Sequence, residues 1–219
     1  MYNPIVKMND ILSEYDNPRL LLHSCCAPCS SYCLLCLREC VNISTFFYNP
    51  NITKEEEYYK RRDELLRLIE AYNNTDYRLP EDCRQVNIIK SYVNKIDNLD
   101  APFEPKLFFE KTKGMEHCPE RGERCAVCFE LRLRETAIQA KEHGYDLFAT
   151  TLTLSPLKDA ALINEIGERI GREVDITYLP TDFKKKNGYK MSIELSKEYN
   201  LYRQNYCGCI YSERDRQEK

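Results

Sequence analysis

An apolar run of strand length, Leu20-Leu21-Leu22-His23, passes straight into Ser24-Cys25-Cys26-Ala27-Pro28-Cys29-Ser30 and then into a helical pattern. Three thiols therefore collect at a strand-to-helix corner, which is where ligands bind in open α/β sheets. Two neighbouring side chains of an extended segment point to opposite sides, so Cys25 and Cys26 make poor joint core filler. The corner reads as a metal or redox centre.

The remaining pattern extends this opening into a parallel sheet. Residues 1–18 form a polar lead-in with a turn at Asn17-Pro18, and Arg19 to Ser24 is the first strand. A helix capped by Ser30 or Ser31 runs to about Glu39, with Cys29, Cys33, Cys36 and Cys40 along one face. Val41 to Phe47 reads as the second strand. Thr53-Lys54-Glu55-Glu56 has capping-box spacing and precedes a strongly periodic helix. Strand, helix, strand, helix is the start of a parallel sheet. Residues 80–102 read as an insertion, with a helix over Ile88–Leu99, and Pro105 starts a short helix through Lys111. A long helix then runs from the Cys125-Ala126-Val127-Cys128 pair to His143, ended by Gly144 in a left-handed conformation. Tyr145–Leu152 is a strand, Lys158–Ile170 a helix, Val174–Leu179 a strand and Met191–Tyr199 a helix, while 213–219 is a flexible tail. At 219 residues the chain is expected to be one α/β domain over 19–212, a central parallel sheet flanked by helices.

Twelve cysteines require either a disulfide framework or metal and redox chemistry. The start lacks the apolar core of a signal peptide, and no run of 18 apolar residues exists, so the expectation is a reduced, cytoplasmic protein without a membrane anchor. There, clustered thiols argue for ligation or catalysis. Cys25 and Cys26 at a strand end, with Cys125 and Cys128 at a helix start, supply four thiolates, the complement of an iron-sulfur cluster or of a structural zinc. Cys29 is a spare soft ligand beside them. Cys207-Gly208-Cys209 suits a strained, easily reduced disulfide and so a two-electron store. Cys33, Cys36, Cys40 and Cys83 read as core or surface thiols, and His23 as a satisfied core histidine. The spacing Cys29, Cys33, Cys36 also matches the radical S-adenosylmethionine motif, but that motif wraps a cluster with a loop, whereas here a helix continues. Net charge is −3, so a nucleic acid would have to meet a local basic patch. Lys184, Lys185, Lys186, Lys190 and Arg203, interleaved with Tyr189, Tyr202 and Tyr206, offer the mixture of cation and stacking ring that suits a splayed RNA base. Lys158 and Asp159 fall on the same sheet edge as the cysteine corner and suit a polar substrate.

Five co-linear segments, His23–Ser30, Phe47–Ile52, Gly122–Phe129, Thr151–Pro156 and Tyr206–Cys209, together resemble the QueH type of epoxyqueuosine reductase over about residues 19 to 212. The resemblance implies reduction of epoxyqueuosine to queuosine at the wobble position of transfer RNA. It implies a [4Fe-4S] cluster on Cys25, Cys26, Cys125 and Cys128, and a redox-active disulfide between Cys207 and Cys209. It also implies a fold similar to adenine nucleotide α-hydrolases, with the cysteine turn in the place of the phosphate-binding loop. Some members hold an additional iron beside the cluster through a carboxylate at the position of Cys29; this chain departs from them in having a thiol there, and Cys29 is the candidate second-metal ligand. The expected partners are the anticodon loop, met by Lys184, Lys185, Lys190, Arg203 and Tyr206, and an electron donor of unknown identity. The competing readings are a radical S-adenosylmethionine enzyme and a zinc-stapled RNA-binding module.

Overall fold

The computed structural model describes residues 2–90 and 93–217. In chain order the elements are α1 (Pro4–Ser13), β1 (Arg19–His23), α2 (Ala27–Leu37), β2 (Asn42–Phe46), α3 (Glu55–Asn73), β3 (Asp97–Leu99), α4 (Pro105–Lys111), α5 (Glu123–Glu142), β4 (Leu147–Thr150), α6 (Ala160–Val174), β5 (Thr177–Tyr178), α7 (Gly188–Glu198) and α8 (Ile210–Gln217). All five strands are parallel, in the order β3-β2-β1-β4-β5. The first strand is thus central, with its successor on one side and β4 on the other. The order reverses at β1, and the crevice at that switch lies beyond the strand ends.

The leucine run explains why β1 is central. Leu20, Leu21 and Leu22 are fully buried, as expected for a parallel strand covered on both faces, and each contributes about 2 kcal/mol through burial. Leu20 and Leu22 join the core formed with α1, α2, α3 and α7, whereas Leu21 joins the one formed with α5 and α6. Helix α2 is buried on nearly every side, Cys29 being the half-buried position. Cys33 and Cys36 belong to the apolar core, so the radical-motif spacing has no loop around a cluster here.

Several boundaries differ from the sequence expectation. Residues 1–18 are more than a lead-in: Asn3 caps α1 by accepting from the Ile5 amide at 3.1 Å, Pro4 occupies its first turn, and Met8 and Leu12 are buried. Helix α2 begins at Ala27 with Cys26 as its cap, not at Ser30 or Ser31. No capping box forms at Thr53; α3 starts after Lys54 without a side-chain cap. The Thr53 amide instead donates to the Gly208 carbonyl at 3.3 Å. The helix expected over 88–99 is absent among its described residues, with 91–92 outside them, and Asp97–Leu99 pairs with β2 as an edge strand. Asn73 fixes that approach through both the amide and the carbonyl of Ile96. The tail is helical through Gln217, tied to the start of α3 by Lys54–Glu213 at 2.6 Å. Gly144 does end α5 region with φ +66.

Candidate metal centre and thiol cavity

Beyond β1 the chain bends at Cys25, is extended at Cys26 and turns into α2 at Ala27. This places Cys29 in the first helical turn, and the Sγ atoms of Cys25, Cys26 and Cys29 lie within 4.8 Å of one another. Cys25 Sγ and Cys26 Sγ are 3.9 Å apart. The Thr151 hydroxyl accepts from the Cys25 amide at 3.2 Å and donates to its sulfur at 3.5 Å. Hydrogen bonds from Cys26 and then Cys29 hold Cys25 well below the usual thiol range. The same sharing raises Cys26 to about 11 and Cys29 well above its ordinary value. One proton therefore leaves the trio readily, and the thiolate sits at a helix N-terminus whose free amides favour negative charge.

His23 fixes this corner. It is fully buried, and burial lowers its pKa to about 3, so the ring is neutral. A carbonyl only accepts, so Nε2–H donates to the Tyr48 carbonyl at 3.1 Å, and Nδ1 accepts from the Thr150 hydroxyl at 2.9 Å. The ring thereby ties β1 to the loop after β2 and to the end of β4. Asn49 adds a bond from Nδ2 to the Ser24 carbonyl at 2.9 Å.

The trio opens into a cavity of about 190 Å³ whose far wall includes Arg203, Gln204, Tyr206 and Cys207. A smaller cavity of about 80 Å³ adjoins it, lined by Cys125, Cys128, Cys207 and Cys209. Arg132 and Lys158 border both. Cys207 and Cys209 are free thiols with sulfurs 3.5 Å apart. The Cys209 hydrogen bond lowers Cys207 to about 5, while Cys209 itself is raised. Their loop is held from α3 and the loop after β2. Asn51 donates to the Cys207 carbonyl at 3.1 Å, and Arg61, paired with Glu57 at 2.6 Å, lies over the Tyr206 ring. Gly208 has φ +109, and a β-carbon there would lie 2.7 Å from Ile52 Cγ1.

The tight thiol group is thus Cys25, Cys26 and Cys29, with Cys125 and Cys128 in the adjoining space beside Cys207 and Cys209. Of the expected RNA contacts, Arg203 and Tyr206 line the larger cavity. Lys184, Lys185 and Lys190 do not: Lys184 pairs with Asp182 at 3.4 Å, Lys185 is exposed, and Lys190 faces Glu194 at 3.9 Å. Sequence reasoning missed Arg132 and Arg61. Arg132 lies four residues after Cys128, one helical turn along the same face, and that periodicity was the available signal. Arg61 follows Glu57 by the same interval.

The sequence model of the family described as "Epoxyqueuosine reductase QueH" matches residues 20–215. Relatives bearing that description include the protein of Staphylococcus aureus, 42% identical over 201 residues that cover 91% of this chain and 77% of that one. That of Staphylococcus epidermidis is 39% identical over 211 residues, covering 94% and 82%. The one from Thermotoga maritima is 31% identical over 200 residues, covering 91% and 93%.

Proposed function

The chain belongs to the QueH family of epoxyqueuosine reductases, and from that membership we propose that it reduces epoxyqueuosine to queuosine at the wobble position of transfer RNA. One juxtaposition carries the reading: the thiol trio and Cys207 wall the same cavity. The donor set suits an iron-sulfur group, because soft thiolates are its ligands and the Sγ atoms of Cys25, Cys26 and Cys29 lie within 4.8 Å of one another. In this proposal Cys25, Cys26, Cys125 and Cys128 hold a [4Fe-4S] cluster, and Cys29 is the thiol left for an adjacent iron. When bound, these groups supply single-electron transfer and a Lewis-acid position.

The reaction breaks both epoxide C–O bonds, forms an alkene and releases the oxygen as water, consuming two electrons and two protons. Joining the Cys207 and Cys209 sulfurs as a disulfide releases two electrons and two protons, and an external donor restores the dithiol. Arg203 and Tyr206 hold the target base after it has left its stack. Lys184, Lys185 and Lys190 meet the anticodon-loop backbone outside the cavity, where the strand of phosphates passes. No helix among the described residues is long and apolar enough to cross a membrane, and the cytoplasm, where transfer RNA resides, is the proposed location.

Anaerobic purification tests this directly. The expected protein is brown, carries about four or more irons with matching sulfide, and converts epoxyqueuosine in transfer RNA when supplied with a chemical reductant, as read by mass spectrometry of the nucleosides. Cys25→Ala should lose both cluster and turnover. Zinc without sulfide, or full cluster content and turnover in Cys25→Ala, would overturn the reading.

A further inference from the structure

Arg132 is a buried cation that pairs with no carboxylate among the described residues. It is 4% exposed, its Nε donates to the Cys128 carbonyl at 3.1 Å, and its guanidinium lies 5.6 Å from the centre of the Phe129 ring. Among the described residues it forms no ion pair, and neither does Lys158 in the turn before α6. An uncompensated buried charge is strongly unfavourable, so buried Arg132, with half-buried Lys158 on the same cavity walls, calls for an anion in the working protein.

The groups that face them are thiols. Arg132 and Lys158 both border the cavity walled by Cys25, Cys26, Cys29 and Cys207 and the one walled by Cys125, Cys128, Cys207 and Cys209. The carboxylate common to both walls is Glu120, which is half-exposed and unpaired with either cation. Asp159, on the smaller cavity, is committed to capping α6 through the Ala161 and Leu162 amides. The two cations come from different elements and converge between the two thiol groups, which is the placement expected of a counter-charge and not of a surface ion pair.

We propose that Arg132, seconded by Lys158, balances the charge of the thiolate-held centre and sets its reduction potential. This rests on the reading that Cys25, Cys26, Cys125 and Cys128 hold an iron-sulfur cluster. Reduction adds one negative charge to a group that already carries four thiolates. A fixed cation in a water-poor site stabilises the reduced form more than the oxidised form. Arg132 thus acts as a positioning charge and touches no reacting atom in this scheme.

The test is a redox titration of the anaerobically loaded protein, followed by absorption, with iron and sulfide measured on each sample. Arg132→Gln should keep its iron and sulfide while its potential moves negative enough to change the reduced-to-oxidised ratio at fixed poise by tenfold, about 59 mV for one electron. Arg132→Lys should stay near the wild-type value, because it keeps the charge and changes only the hydrogen-bond geometry. Should Arg132→Gln lose its iron, Lys158→Gln on a separate element must show the negative shift; no shift there overturns the proposal. Loaded variants at the wild-type potential that bind transfer RNA more weakly would overturn it in favour of a phosphate contact. A wild-type protein without iron and sulfide would instead overturn the underlying reading of the thiols.

Discussion

Replacing Gly208 by alanine perturbs the cysteine loop through two separable costs. At φ +109 an L-residue is strained by about 1–3 kcal/mol, and the new β-carbon would lie 2.7 Å from Ile52 Cγ1 and 3.2 Å from an Arg61 nitrogen. Overpacking of that kind adds about 1–3 kcal/mol. The sum, about 2–6 kcal/mol, falls on a segment held by bonds that include Thr53 to the Gly208 carbonyl, Asn51 to the Cys207 carbonyl and Arg61 to the Tyr206 carbonyl. The segment should therefore detach locally before the sheet unfolds. A shift of about 2.8 kcal/mol raises the detached fraction about a hundredfold, since 1.4 kcal/mol is a factor of ten. In reduced, metal-free protein the alkylation rate of buried Cys209 should rise by roughly that factor, while thermal unfolding moves by only a few degrees. Ile52→Ala combined with Gly208→Ala should recover the steric part and leave the backbone part, a coupling that a double-mutant cycle reads directly. Unchanged Cys209 reactivity in Gly208→Ala, or no coupling with Ile52, would refute the reasoning.

Arg61→Ala breaks a buried pair with Glu57 and removes the ring contact to Tyr206; the expected loss is about 3 kcal/mol, read by urea denaturation. The exposed network of Glu130, Arg169, Arg134 and Glu173 contributes far less. Hydrogen bonding from Arg169, then Arg134, lowers the Glu130 pKa below 4.5, so its stabilisation is complete above that value and is lost as pH falls through the lower folded value. Discounted for solvent screening it is worth less than about 1 kcal/mol, and Glu130→Gln should differ from wild type in melting temperature at neutral pH but converge with it as the pH falls through the lowered folded value. Arg203→Ala should weaken binding of an epoxyqueuosine-containing anticodon stem-loop severalfold more than Lys190→Ala in a filter-binding assay, because Arg203 borders the cavity and Lys190 faces Glu194. Equal effects would place the RNA contact on the lysine run instead.

What was legible in the sequence was local chemistry. The leucine run and cysteine turn specify a buried strand and its corner because side-chain alternation and helix initiation act over a few residues. The Cys125–Cys128 pair at the start of α5 is visible for the same reason. The corner's three thiols were legible as a group. What was not legible is that α2 starts at Ala27 with Cys26 and not Ser30 as its cap, a shift of about one turn, and that Cys125 and Cys128 line an adjoining cavity beside Cys207 and Cys209. Residues 97–99 close the segment read as a helix over 88–99, yet they pair with β2, a long-range contact that local reading does not show. The Asn3-Pro4 start of α1 was a readable cap that the short, polar segment obscured. Arg132 stayed hidden because one of three arginines on a long helix looks like surface until the turn before α6 is folded beside it.

The attachment of the Tyr206–Cys209 loop to Asn51, Thr53 and Arg61 has a consequence for how the molecule is made. Ribosomal synthesis delivers the strands, α2 and α5 long before the last dozen residues emerge. The residues of the thiol cavities on the sheet side are therefore in place first, with Cys25, Cys26 and Cys29 on one cavity and Cys125 and Cys128 on the adjoining one. Only when the final segment clings to the loop after β2 does the larger cavity gain its remaining wall. The floor of the cavity and its remaining wall are thus supplied by segments that leave the ribosome at different times.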